Sequence, residues 1–146
     1  MDWKNFAKDK LRQYDARRQA ISIIPLEIAQ VESQMTEIRS AQTDRLSVCS
    51  NRVNAYESKL LSCMVQKEEL QRNLKQAKLF VKSVDAALNA LNPDDRKILE
   101  RMHISVKKYA AEDLADELNI DLKTVYSRAS CALHRFTIAL YGITES

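Results

Sequence analysis

The sequence predicts an all-α protein in which a long N-terminal antiparallel helical hairpin precedes a small C-terminal helix-turn-helix domain. Three observations carry this. The 146-residue chain has one glycine, Gly142, and two prolines, Pro25 and Pro93. With so few breakers long helices are favoured, and tight strand-to-strand turns have little to be built from. Apolar residues recur at spacings of three and four over much of residues 21–91, as helices pairing along a seam require. The stretch EDLADELNIDLKTVYSRASCALHRF, residues 112–136, then divides into two amphipathic segments around a short turn.

The strongest repeat is Tyr56, Leu60, Cys63, Lys67, Leu70, Leu74, Ala77, Val81, Val84, Leu88 and Leu91. Only Lys67 interrupts its apolar character, and the pattern is that of a coiled-coil seam. A helix continuous to Leu91 is about 55 Å long at about 1.5 Å per residue. Asn54 and Glu57 of NAYE suit a capping box at its start. The partner is supplied upstream by Ile21, Ile24, Ile28, Val31, Met35 and Ile38. Pro25 lacks a backbone donor and disfavours helix at Ile24, which predicts a break or kink, with one helix over residues 3–21 and another over 25–41. The polar, weakly periodic segment 42–53 reads as a mobile loop. A dividing line falls after Leu91, giving a hairpin over 1–91 and a second domain over 92–146.

The second domain opens with LNPDDRK. Asn92 suits a helix cap, Pro93 the first turn, and Asp94 and Asp95 the positive helix end. A short helix to about Met102 and a connector, HISVKKY, lead into the two amphipathic segments. In the first of these, Ala111, Leu114, Ala115 and Leu118 share a face. Asn119 tolerates the left-handed backbone that such a turn needs, Ile120 plugs the gap between the helices, and Asp121 is placed to cap the second helix. In that helix Leu122, Val125, Ala129, Ala132 and Phe136 fall on one side. Lys123, Ser127, Ser130 and His134 fall on the other, flanked by Thr124 and Tyr126. No Asp or Glu occurs between Leu122 and Leu140. Such a face suits a DNA groove, with lysine and serine meeting phosphates or base edges and tyrosine a sugar or thymine methyl. A serine-rich, mildly basic face is also an ordinary solvated one.

Whole-chain charge is +3. Residues 1–91 hold fifteen Lys and Arg against eleven Asp and Glu, or +4, and residues 92–146 hold eight against nine, or −1. A DNA-binding C-terminal domain must therefore work through a local patch. Cys49, Cys63 and Cys131 are odd in number and widely spaced, which points to a reduced intracellular protein and away from metal knuckles. The lone glycine leaves no phosphate-cradling loop. No apolar run spans a bilayer, and MDWKNFAKDKLRQ lacks an apolar signal core. A cytoplasmic protein with no membrane partner, no cofactor and no metal is expected.

The residues LNPDDRKILERMHI and AAEDLADELNIDLKTVYSRASCALHRF resemble region four of bacterial sigma factors. There a short helix precedes a helix-turn-helix ending in a pattern such as TVKSRLSRAL, matched here by TVYSRASCAL, Thr124 to Leu133. A helical hairpin ahead of this module further resembles phage and prophage late-gene regulators of the ArpU/RinA type, and a sigma-region-four-like family of phages of Gram-positive bacteria. The connector departs from the pattern in lacking a glycine, and Tyr126 stands where a basic residue is frequent. Nothing resembles the sigma regions that bind the core polymerase coiled coil and melt promoters. The resemblance implies a non-enzymatic, sequence-specific DNA-binding transcription regulator of phage or prophage origin. Lys123, Tyr126, Ser127 and Ser130 would lie nearest the bases, with Arg128, Arg135, Lys107 and Lys108 on phosphates and Thr124 a further DNA-binding residue beside them. Double-stranded DNA is the expected partner. A homodimer through the hairpin would set half-site spacing, and the acidic helix before Asn119 would face RNA polymerase or another protein.

Two other classes compete. A phage structural or DNA-packaging adaptor would use the hairpin for assembly, and the long seam and near-neutral C-terminal half favour it. An enzyme would need Cys131 or His134 as a reacting group. Cys131 lies one residue from the buried stripe, where packing is the expected role, and His103 near a helix end is expected to cap or face solvent. The basic KNFAKDKLRQYDARR is interrupted by Asp9 and Asp15, as an ordinary solvated face is, which disfavours a membrane-binding helix.

Overall fold

The computed structural model describes the backbone of residues 1–44 and 50–143, and the side chains of residues 1–41 and 54–143. Within those residues there are five α-helices and no strand: α1 (Trp3–Asp44), α2 (Ser50–Asn89), α3 (Pro93–Leu99), α4 (Ala110–Leu118) and α5 (Leu122–Tyr141). Residues 45–49, and the side chains of 42–53, lie outside the description, and with them most of the expected loop. The helices reach further into that segment than the sequence predicts, and Asn54 lies inside α2 rather than capping it.

Pro25 does not break α1, which is one helix of 42 residues. Proline removes a single hydrogen bond at that point, whereas seam residues on both of its flanks pack in register with α2. The chain forms two compact units, residues 19–78 as one and residues 1–18 with 79–146 as the other. These do not coincide with the 1–91 and 92–146 division. The last turns of α2 and the first of α1 belong with α3, α4 and α5.

In the unit of residues 19–78, Val31, Met35 and Cys63 are buried, with Ile38, Leu60 and Leu70 packed against them. Glu32 pairs with Lys67 at 3.1 Å, and the Cys63 thiol lies 4.0 Å from Gln34 Oε1. The seam's one charged position is thus neutralised across the helix pair. The pairing is antiparallel, since the α2 partner moves back from Lys67 to Cys63 as α1 runs from Glu32 to Gln34.

In the other unit the seam continues with Ala7, Leu11 and Tyr14 of α1 and Val81, Val84 and Leu88 of α2, all buried. The Tyr14 hydroxyl donates to Asp85. Burial, and then Asp85, push the Tyr14 pKa up. A run of cations and rings joins α1, α2 and α5. Arg17 lies 5.0 Å from the Phe80 ring, Lys10 lies between Phe80 (5.7 Å) and Tyr141 (5.2 Å), and Trp3 meets Tyr141 at 4.9 Å. Each cation over a ring contributes about 0.5–1 kcal/mol at such partly exposed positions. The chain leaves α2 at Asn89, two residues before the predicted end, and Asn92 caps α3 by accepting from the Asp95 N–H at 2.8 Å. α3 widens into a π-helical turn, Glu100–Ile104, closed by Ser105 N–H donating to Glu100 C=O at 2.8 Å.

Candidate nucleic-acid interface

α4 and α5 meet through a core of Ile98, Ala111, Leu114, Val125 and Ala129, against which Met102, Ala115, Leu118 and Ile120 pack. Alanine at positions 111 and 129 lets the two helices approach closely, while Leu114 and Val125 fill the contact. Asn119 ends α4 with φ 59° and ψ 44°, the left-handed conformation, and Asp121 opens α5 with an extended backbone. Contrary to the expectation of a side-chain cap, the Asp121 carboxylate makes no bond to the helix backbone. It accepts from the Thr124 hydroxyl at 3.5 Å, and the Asp121 carbonyl receives the Val125 N–H at 3.1 Å. Gly142 stops α5 at φ 74°, the left-handed C-terminal position at which glycine carries no Cβ penalty.

The connector places a second residue at positive φ. Tyr109 precedes α4 with φ 64° and lies 61% exposed, and Lys108 Nζ sits 5.1 Å over its ring. The sequence's missing connector glycine thus has a structural counterpart: a tyrosine in a conformation that costs L-residues about 1–2 kcal/mol.

On α5, Val125, Ala129, Ala132, Leu133, Phe136 and Thr137 are buried. Leu122, in the first turn of α5, is 39% exposed rather than buried. Leu133 and Thr137 replace it; the Thr137 hydroxyl is satisfied by donating to Leu133 C=O at 2.7 Å. Cys131, expected to pack, is exposed. Lys123, Ser127, Ser130 and His134 are exposed on the opposite side, Tyr126 and Arg128 are exposed beside it, and Thr124 is half-buried at the edge.

The cations divide by how they are held. Lys123, Arg128 and Lys107 take part in no ion pair among the described residues. Arg135 is committed: its Nη1 lies 2.5 Å from Oδ2 of Asp95, a buried carboxylate that also accepts from Asn92 Nδ2 at 3.2 Å. Arg135 therefore ties α5 to the start of α3, and its predicted place among the phosphate contacts is weakened. Arg128, Cys131 and Arg135 share a groove of about 460 Å³ with Asn92, Pro93, Asp94 and Asp95. Lys107 borders a hollow with Arg101, Ser105, Ala110, Asp113 and Glu117.

α4 presents the acids. Glu117 bridges Lys97 at 2.6 Å and Arg101 at 2.9 Å, tying α4 to α3 and the π turn, and those two bonds hold its carboxyl below the usual range. Glu112, Asp113 and Asp116 remain exposed. His103 is half-buried, not a surface or capping group. Among the described residues no cluster of His, Cys, Asp and Glu could hold a metal ion, and no helix is long and apolar enough to cross a membrane. No family model matches the chain, and comparison with curated proteins and with solved structures gives no match either.

Proposed function

We propose that the protein is a sequence-specific DNA-binding regulator of transcription, phage- or prophage-encoded, whose α4 and α5 act as a helix-turn-helix. The observation that carries this reading is the outward side of α5. Lys123, Tyr126, Ser127 and Ser130 stand exposed on it, the helix bears no carboxylate, and α4 braces the opposite side through Leu114 and Val125. A groove-bound helix needs that arrangement, because a carboxylate on the contacting face would repel the phosphates while serine, lysine and tyrosine can meet base edges and backbone. Lys123 and Arg128, which enter no ion pair among the described residues, are the first phosphate contacts; Thr124, Lys107 and Lys108 lie at the margin, and Arg135 positions α5. The reading involves no catalysis. A homodimer through the hairpin would space two α5 helices on half-sites, and the acidic side of α4 would face RNA polymerase.

Binding selection on fragmented DNA of the encoding replicon, at two salt concentrations, tests this. A regulator enriches one short site, loses it in the Lys123→Ala/Ser127→Ala variant and binds more weakly at high salt. Absence of enrichment at both salts would retire it. The assembly-adaptor reading has one observation of its own. Leu61, Met64 and Val65 stand exposed at adjacent positions of α2, where a helical partner could rest. It predicts a higher oligomer, unaffected by the same substitutions.

A further inference from the structure

α1 carries two seams at alternating spacings of three and four. One, through Val31 and Met35, packs on α2. The other lies on the far side of the helix and is built from Gln19, Ile23, Leu26, Gln30, Ser33 and Glu37, every one of them exposed. Ile23 and Leu26, at its middle, are 51% and 64% exposed. Residues 19–38 hold no Lys or Arg, in a chain that has 23 of them among 146 residues. Of the three acids in that stretch, Glu32 is paired with Lys67 across the hairpin, Glu27 stands at the rim of the outer seam, and Glu37 closes its C-terminal end. A helix face turned to water is ordinarily covered by charged side chains. This one has two large apolar residues at its centre, with amides and a hydroxyl around them.

The pattern is its own complement. A two-fold axis between Ile23 and Leu26 sets Ile23 of one copy against Leu26 of another, and Gln19 against Gln30, whose amides each donate and accept. Continued along α1, the same axis brings Glu37 opposite Arg12 at both ends of the seam. Arg12 touches Asp9 at 3.3 Å, an exposed contact within its own helix, and a guanidinium has donors for a second carboxylate. Asp15, beside Arg12, falls opposite Ser33, whose hydroxyl can donate to it. A parallel pairing would instead stack Arg12 on Arg12 and Glu37 on Glu37. We propose that the outer face of α1 is covered by a second copy of this chain, the two α1 helices running antiparallel in an isologous dimer. A charged partner would find nothing at the centre of this face to pair with, whereas a second copy buries no ion there. One helix pair covers less area than a standard stable interface, so the dimer depends on concentration. This gives the hairpin dimer a named surface. Its use to space DNA half-sites rests on the DNA-binding reading above; the dimer does not.

The test is sedimentation velocity of the intact protein over a wide concentration range, beside variants whose fold is verified by far-UV circular dichroism. The intact chain should pass from monomer to dimer and no further. Ile23→Glu/Leu26→Glu should remain a monomer throughout. Leu61→Glu/Val65→Glu, which alters the exposed apolar residues of α2, should dimerise as the intact protein does. Arg12→Glu and Glu37→Arg should each weaken association by about tenfold, since each turns both end pairs into like-charge contacts. The charge swap Arg12→Glu/Glu37→Arg should restore it, as only the antiparallel arrangement allows. The selected duplex is then added to the intact protein and to Ile23→Glu/Leu26→Glu. Two copies per duplex are expected from the first and one from the second.

A monomer at every concentration overturns the proposal, and so does a dimer that survives Ile23→Glu/Leu26→Glu. Loss of association in Leu61→Glu/Val65→Glu alone moves the interface to α2 and overturns it equally. A charge swap that fails to restore what its single changes lose overturns the antiparallel arrangement. A dimer that is lost with Ile23 and Leu26, in a protein that selects no DNA, supports the interface and refutes the DNA-binding reading instead.

Discussion

Arg135 and Asp95 form the contact most able to distinguish a structural cation from a DNA-contacting one. The two side chains differ in surroundings, Asp95 being 9% exposed and Arg135 57%. Arg135→Ala therefore leaves a buried carboxylate with only Asn92 Nδ2 beside it, at a cost of about 1–3 kcal/mol. Asp95→Ala leaves a guanidinium that water can solvate, and forfeits mainly the pair itself, about 1 kcal/mol after screening at the exposed end. The double variant should recover part of the difference, with a coupling of about 1 kcal/mol between the positions. Each kcal/mol corresponds to roughly 2–4 °C in a chain of this size. Denaturant unfolding followed through Trp3, the chain's one tryptophan, reads the unit that contains both residues. In DNA titrations Arg135→Gln should leave the salt slope unchanged, while Arg128→Gln lowers it by about 0.9. Additive stability effects, or an Arg135 slope change equal to that of Arg128, would refute the assignment of Arg135 to the Asp95 contact.

Pro25→Ala should stabilise α1 by up to about 3 kcal/mol by restoring a backbone donor in the helix interior, seen as a higher melting temperature in far-UV circular dichroism; a lower one would mean that proline shapes the helix usefully. Asn119→Val should cost about 1–2 kcal/mol and Asn119→Gly little or nothing, since only the first is penalised at φ 59°, and equal losses in urea unfolding would argue against that backbone geometry. His103 supplies a pH dependence whose sign follows from its lowered pKa. Above pH 6.5, its reference value, the imidazole is neutral in both folded and unfolded chains. As pH falls below that value the unfolded chain takes up the proton first, so stability declines until the folded pKa is passed. The stability difference between the intact protein and His103→Gln should therefore vary with pH in that acid window, and a constant difference between about pH 7.5 and 5 would exclude the effect.

The features legible in the sequence were those set by neighbours a few residues away. Asn92 caps α3, Asn119 takes the left-handed turn, and Ala111, Leu114, Val125 and Ala129 meet because helical geometry fixes which side they share. Seam positions from Tyr56 to Leu91 are all buried or half-buried for the same reason. Local rules failed where distant residues outweighed them. One missing hydrogen bond at Pro25 yielded to the packing of Leu11 and Tyr14 on one side and Val31 and Met35 on the other. Leu122 is exposed and Leu133 buried, a difference that helix periodicity alone does not set. Likewise Arg135 looked like a phosphate contact until Asp95, forty positions earlier in the chain, was brought beside it. The sequence by itself determined an all-helical chain with a long helix pair and a short turn between α4 and α5, because helix periodicity and capping act over single turns. Only the tertiary structure decided that the first eighteen residues belong with the last helices, and which cations are already held by carboxylates and rings, because both depend on through-space neighbours that no spacing in the chain encodes.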